Sequence, residues 1–175
     1  MALQHNKDYD YLYSICRDFR KKIDECVHNN KDLFDGFPHG YCAKISLWAC
    51  DYLSSKGFKN ITLLSHDPFL PNSDGNHVWL HWEKYHIDLS CDQFSNDNMK
   101  YDSVIIIQDG NDTTPEKRYS NQNEEETRNK RAFLEYVPIW NQKDEKERDL
   151  IYKALNIKYI GKFSIEVQKS EGVQA

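Results

Sequence analysis

The chain has no CxxC pair and no dense, even-numbered set of cysteines: its five, Cys16, Cys26, Cys42, Cys50 and Cys91, stand 10, 16, 8 and 41 residues apart. That spacing excludes the disulfide framework of a small secreted scaffold and leaves reduced thiols. It also lacks a basic-then-apolar leader at Met1-Ala2-Leu3-Gln4-His5, and no apolar run is long enough to cross a bilayer. The expectation is a cytoplasmic protein with no membrane partner. Basic charge is not in excess either. The 23 Lys and Arg are outnumbered by 28 Asp and Glu, for a net charge of −5 with both signs interspersed, which argues against a nucleic-acid surface. Aromatic residues are plentiful at 13%, and such residues mostly build core. The 175 residues are enough for one domain, expected over 1–169 with a tail at 170–175.

Helical periodicity marks two stretches early in the chain. Over 8–29, Tyr9, Leu12, Ile15, Phe19, Ile23 and Val27 recur at three- and four-residue steps, with Arg17, Arg20, Lys21, Lys22 and Glu25 expected on a solvated outer face. A turn-rich approach containing Phe37-Pro38-His39-Gly40-Tyr41 then runs into a second stripe of Ile45, Trp48, Ala49, Tyr52 and Leu53, closed by Gly57 as a left-handed stop. Cys42 falls in the first turn of this helix. Unpaired backbone N–H groups and the positive end of the helix dipole favour a thiolate there, and the thiolate is the nucleophilic form.

Farther on, the pattern changes to period two. After a first strand over 60–65, Val78, Leu80 and Trp82 alternate with His77, Trp79 and His81; beyond Glu83-Lys84, Tyr85, Ile87 and Leu89 alternate with His86, Asp88 and Ser90. A hairpin turning at Glu83-Lys84 pairs Leu80 with Ile87 and Trp82 with Tyr85, and places Asp88 one diagonal step from His77. Glu-Lys is an unfavoured turn dipeptide, so this register is the weakest link of the reading. Val104-Ile105-Ile106-Ile107 reads as a buried central strand. The stretch 109–123 is almost free of apolar side chains and is expected to be a polar loop or lid. Helices are expected over 124–136 and 144–155, and a closing strand over 157–167.

Cys42, His77 and Asp88 supply a nucleophile, a base and a group to orient the base. Gly40-Tyr41-Cys42 leading into an amphipathic helix, then Gly57-Phe58, His77 on a strand and Asp88 on the next, resembles the core of the papain-like/transglutaminase-like superfamily and, distantly, the arylamine N-acetyltransferases. The resemblance spans about a third of the chain. It implies an α+β fold with the cysteine helix packed on an antiparallel sheet, and acyl-thioester chemistry through a Cys42-His77-Asp88 triad on a peptide, protein or small amide substrate. It implies no cofactor. Papain-type enzymes carry an oxyanion-hole glutamine shortly before the cysteine; here that interval holds Asp35, Gly36, Phe37, Pro38 and His39, and Gln4, Asn29, Asn30 and Gln93 are the substitutes available.

Other readings stay open. His77, His81 and His86 on one hairpin face could ligate zinc, Cys91 could be the reactive thiol, and His39 could be the base. A different class of function is a non-catalytic peptide- or protein-binding module of immunity or adaptor type.

Overall fold

The structure is a computed structural model and describes residues 7–66, 77–108 and 142–158. These form an α+β arrangement of three α-helices and a four-stranded antiparallel sheet. In chain order the elements are α1 (Lys7–Asn29), α2 (Cys42–Ser55), β1 (Thr62–His66), β2 (His77–Trp82), β3 (Tyr85–Asp88), a 3₁₀ turn (Cys91–Phe94), β4 (Ile105–Gln108) and α3 (Gln142–Leu155). Strand order is β1-β2-β3-β4. The expected 109–123 loop, the 124–136 helix, the 170–175 tail and nearly all of the 157–167 strand lie outside the described residues, whereas α3 matches the helix expected over 144–155. Among the described residues no helix is long and apolar enough to cross a membrane.

The β2–β3 register is the one period two dictates: Leu80 faces Ile87, His81 faces His86 and Trp82 faces Tyr85 across a two-residue turn. Glu83 enables that turn by adopting φ +53°, the left-handed conformation that tight hairpin turns require. β4 pairs with β3, with Ile106 opposite Ile87 and Ile105 opposite Asp88. It therefore stands last in the described strand order.

One face of the sheet, with Leu63, Val78, Leu80, Ile87 and Ile106, packs with Leu12, Phe19 and Ile23 of α1, Ile45, Trp48 and Tyr52 of α2, and Ile151 and Leu155 of α3. Full burial of each such aliphatic or phenyl side chain stabilises the fold by roughly 1.5–3 kcal/mol. The opposite face carries a smaller cluster in which Trp79 and Ile107 pack with Leu64, Phe94 and Ile105. α2 ends as the sequence indicates. Gly57, at φ +94°, donates to the Ser54 carbonyl (3.0 Å) and Phe58 to the Leu53 carbonyl (3.2 Å), a Schellman closure that only a residue tolerant of positive φ makes cheaply.

The solvated outer face expected of α1 holds for Arg17 and Lys21 but fails at Arg20, which is buried. Its guanidinium turns inward to the chain just beyond β3: Nη1 donates to the Leu89 carbonyl (2.7 Å) and to Asp92 Oδ1 (2.9 Å), and Nη2 donates to Asp92 Oδ2 (2.7 Å). Paired hydrogen bonds to a carboxylate offset the cost of taking the charge out of water.

Candidate active site

Cys42 opens α2, whose N-terminus carries no side-chain cap. Gly40 sits two residues earlier at φ +74°, a bend that lets the loop turn into the helix. One turn along α2, the Ser46 hydroxyl donates to the Val78 carbonyl (3.0 Å) and pins the helix to the start of β2. His77 is the first residue of β2 and Asp88 the last of β3, so the hairpin brings strand ends that are 11 residues apart in sequence side by side.

His77 Nε2 lies 2.6 Å from Asp88 Oδ2, and both side chains are wholly buried. The other carboxylate oxygen, Oδ1, accepts from the Ser90 backbone N–H (2.9 Å) and the Ser90 hydroxyl (3.3 Å). The carboxylate is thereby fixed, and the imidazole with it. Phe94 packs edge-on to the His77 ring at 5.0 Å, and Trp79 stacks beside it at 5.9 Å. With Nε2 committed to Asp88, Nδ1 is the nitrogen that faces the thiol, shared with the Gln93 amide 2.8 Å away, and Cys42 is hydrogen-bonded to His77.

Electrostatics polarise the pair. Burial pushes the Cys42 thiol up, but the hydrogen bond and charge of His77, the Val78 amide and the Gln93 side chain together bring it below the usual thiol value. Burial pushes His77 down, and the Asp88 carboxylate, with Cys42, more than reverses this, raising the imidazole to about 9. Both shifts favour thiolate beside imidazolium.

Cys42, His77 and Asp88 are thus brought together as one constellation. The sequence did not single out Gln93 from four amides. In space it joins the loop before Cys42 to the imidazole: its Oε1 accepts from the Gly40 N–H (3.2 Å), which fixes the amide orientation, and its Nε2 lies 2.8 Å from His77 Nδ1. No periodic signal in Leu89-Ser90-Cys91-Asp92-Gln93-Phe94 marks it; the stretch folds back as a 3₁₀ turn in which the Gln93 N–H bonds to the Ser90 carbonyl (3.1 Å). Asn30 is used elsewhere, donating to the Cys26 carbonyl (2.8 Å). Gln4 lies outside the described residues.

His39 is exposed, and Cys91 is buried at the start of the 3₁₀ turn. His86 Nδ1 accepts from the Trp79 indole (3.1 Å), and its ring lies 4.8 Å from that of His81. Among the described residues no group of three or more His, Cys, Asp or Glu side chains is placed to hold a metal ion, so the three histidines do not form the zinc site weighed from sequence.

Comparison with protein-family models, with curated proteins and with solved structures returns no match. The site geometry therefore carries the functional reading.

Proposed function

We propose that the chain is a cysteine-dependent hydrolase or acyltransferase acting on an amide or thioester bond, of peptidase, amidase or glutamine deamidase/transglutaminase type. The observation that carries this is the convergence of a helix-start thiol, a buried imidazole and a buried carboxylate in nucleophile–base–orienter order, with His77 Nε2 2.6 Å from Asp88. The α+β arrangement and the order Cys, His, Asp fit a papain-like or transglutaminase-like enzyme.

In this mechanism Cys42 Sγ attacks the acyl carbon, a C–S bond forms, and the carbonyl electron pair moves onto oxygen. First-turn backbone N–H groups of α2 and the Gln93 amide are the donors available to that oxyanion. On collapse the C–N or C–S bond to the leaving group breaks, and the proton on His77 Nδ1 passes to the departing amine or thiol. Water or an acceptor amine then attacks the thioester while His77 takes its proton, and Cys42 is released. Asp88 keeps Nε2 protonated and the ring aligned throughout.

Timed reaction with iodoacetamide, read by peptide mass spectrometry, tests this reading. Cys42 should be alkylated far faster than the other four cysteines; burial pushes the Cys16 and Cys50 thiols up to about 12. Uniformly slow labelling would remove the enzyme reading. One observation favours the binding module instead: Cys42 is only 8% exposed, and two surface hollows among the described residues, of about 500 and 410 Å³, are lined by neither Cys42, His77 nor Asp88.

A further inference from the structure

Arg20 stands 22 residues before Cys42 and on a different helix, yet it braces both rims of the candidate site. On one side its Nη1 and Nη2 grip Asp92 at 2.9 and 2.7 Å, and Nη1 also holds the Leu89 carbonyl at 2.7 Å. Leu89 follows Asp88, and Asp92 precedes Gln93. On the other side the guanidinium lies over the Phe37 ring, 5.1 Å from its centroid, in the loop that delivers Gly40 and Cys42. Gln93 joins these rims, accepting from Gly40 and reaching His77 Nδ1. Arg20 Nε is occupied by Asp24 (2.8 Å), so the guanidinium plane is fixed on three sides.

We propose that the Arg20–Asp92 pair is a positioning clamp that aims the Gln93 side-chain amide at the reacting centre. The inference rests on the thiol chemistry proposed above. A planar guanidinium gripping a carboxylate through two hydrogen bonds fixes direction as well as distance, and a four-residue 3₁₀ turn has little rigidity of its own. Arg20 and Asp92 touch no reacting atom and act through Gln93. The step they serve is the one that develops negative charge on the acyl oxygen. Attack of the same thiolate on the methylene carbon of iodoacetamide displaces iodide and develops no such oxyanion.

The test contrasts these two reactions on the full chain, with p-nitrophenyl acetate as the acyl probe and release of p-nitrophenolate as the readout. Asp92→Asn and Arg20→Lys should each slow Cys42 acylation by about 10–100-fold, the scale of a misplaced group or a weakened oxyanion donor. Alkylation of Cys42 by iodoacetamide should change by less than about threefold, because its barrier does not draw on an oxyanion donor. In a Gln93→Ala background the Asp92→Asn change should have no further effect on acylation, since residues acting through a common group are non-additive. Asp92 is a fifth exposed, so its isosteric variant tests the clamp even if the buried Arg20 variant does not fold. A folded Asp92→Asn protein acylated at the parental rate would overturn the clamp, as would equal slowing of acylation and alkylation, or full additivity with Gln93→Ala. A parent protein in which Cys42 reacts with neither reagent would instead remove the thiol reading, and the clamp with it.

Discussion

At the scale of single residues, the thiolate–imidazolium pair sets how reactivity depends on pH. Cys42 is held below the ordinary thiol value and His77 is raised to about 9, so the ion pair is populated between the two. Acylation of Cys42 should rise as pH climbs through the lowered thiol value and fall as His77 loses its proton near 9. Asp88→Asn removes the carboxylate that raises His77, so the falling limb should move to lower pH and the acylation rate should drop by about 10²-fold or more. Cys42→Ser should be more severe, since a serine hydroxyl has no comparable anion to pair with imidazolium. A pH–rate profile of p-nitrophenolate release checks all three, and a falling limb that does not move in Asp88→Asn would reduce Asp88 to a hairpin residue. Trp48 offers a test in the core. Its indole N–H is buried with no acceptor among the described residues, a situation that costs about 1–3 kcal/mol. Trp48→Phe trades that penalty against lost packing and should leave stability within about 1 kcal/mol of the parent, whereas Trp48→Ala should cost about 3–5 kcal/mol in urea denaturation.

At the scale of elements, the hairpin was readable in the sequence because period two runs through both arms, and a one-residue slip would have moved every apolar side chain to the wrong face. Cys42 at a helix start was readable for a similar reason, since the 3.6-residue stripe and Gly57 bracket α2. The 3₁₀ turn was not, because four residues carry no period, and with it Gln93 stayed one amide among four. Arg20 was misread because it lies within the charged run 17–22. Its place on the core side of α1 nevertheless follows from the helical period, since it falls four residues after Cys16 and three before Ile23, both buried. The turn dipeptide that weakened the hairpin reading leaves a measurable cost in the fold. Glu83 holds φ +53°, where an ordinary side chain costs about 1–2 kcal/mol and asparagine costs less. Glu83→Asn should therefore raise stability by roughly 0.5–1 kcal/mol, seen as a higher urea midpoint at unchanged slope. A lower midpoint would mean that the glutamate side chain contributes more than its backbone conformation costs.

At the scale of the whole molecule, the site is held by contacts between residues far apart in the chain, which no local pattern reveals. Arg20 joins α1 to the 3₁₀ turn, Ser46 joins α2 to β2, and α3 closes on the first turn of α2 through polar groups. Glu147 of α3 is wholly buried; it accepts from the Tyr41 hydroxyl (2.9 Å) through Oε1 and from Lys44 Nζ (2.6 Å) through Oε2. Lys44 also bonds to Asp144, and farther along the same helix the Tyr152 hydroxyl bonds to Asp51 of α2. Tyr41 and Lys44 flank Cys42, so the helix that closes the described chain grips the segment that presents the thiol. Lys44 serves two carboxylates here; Lys143 stands farther off, 3.8 Å from Glu147 Oε1, so removing Lys44 takes away the short ion pair that compensates a buried charge. Lys44→Met should cost about 3–5 kcal/mol, while adding Glu147→Gln, which removes the stranded charge and keeps an amide oxygen for Tyr41, should recover more than 1 kcal/mol of that loss. Urea denaturation of the two single variants and the double variant measures the coupling. Additive losses would show that Lys44 and Glu147 act independently, and that the apolar contacts of Ile151 and Leu155 dock α3 without help from the buried charges.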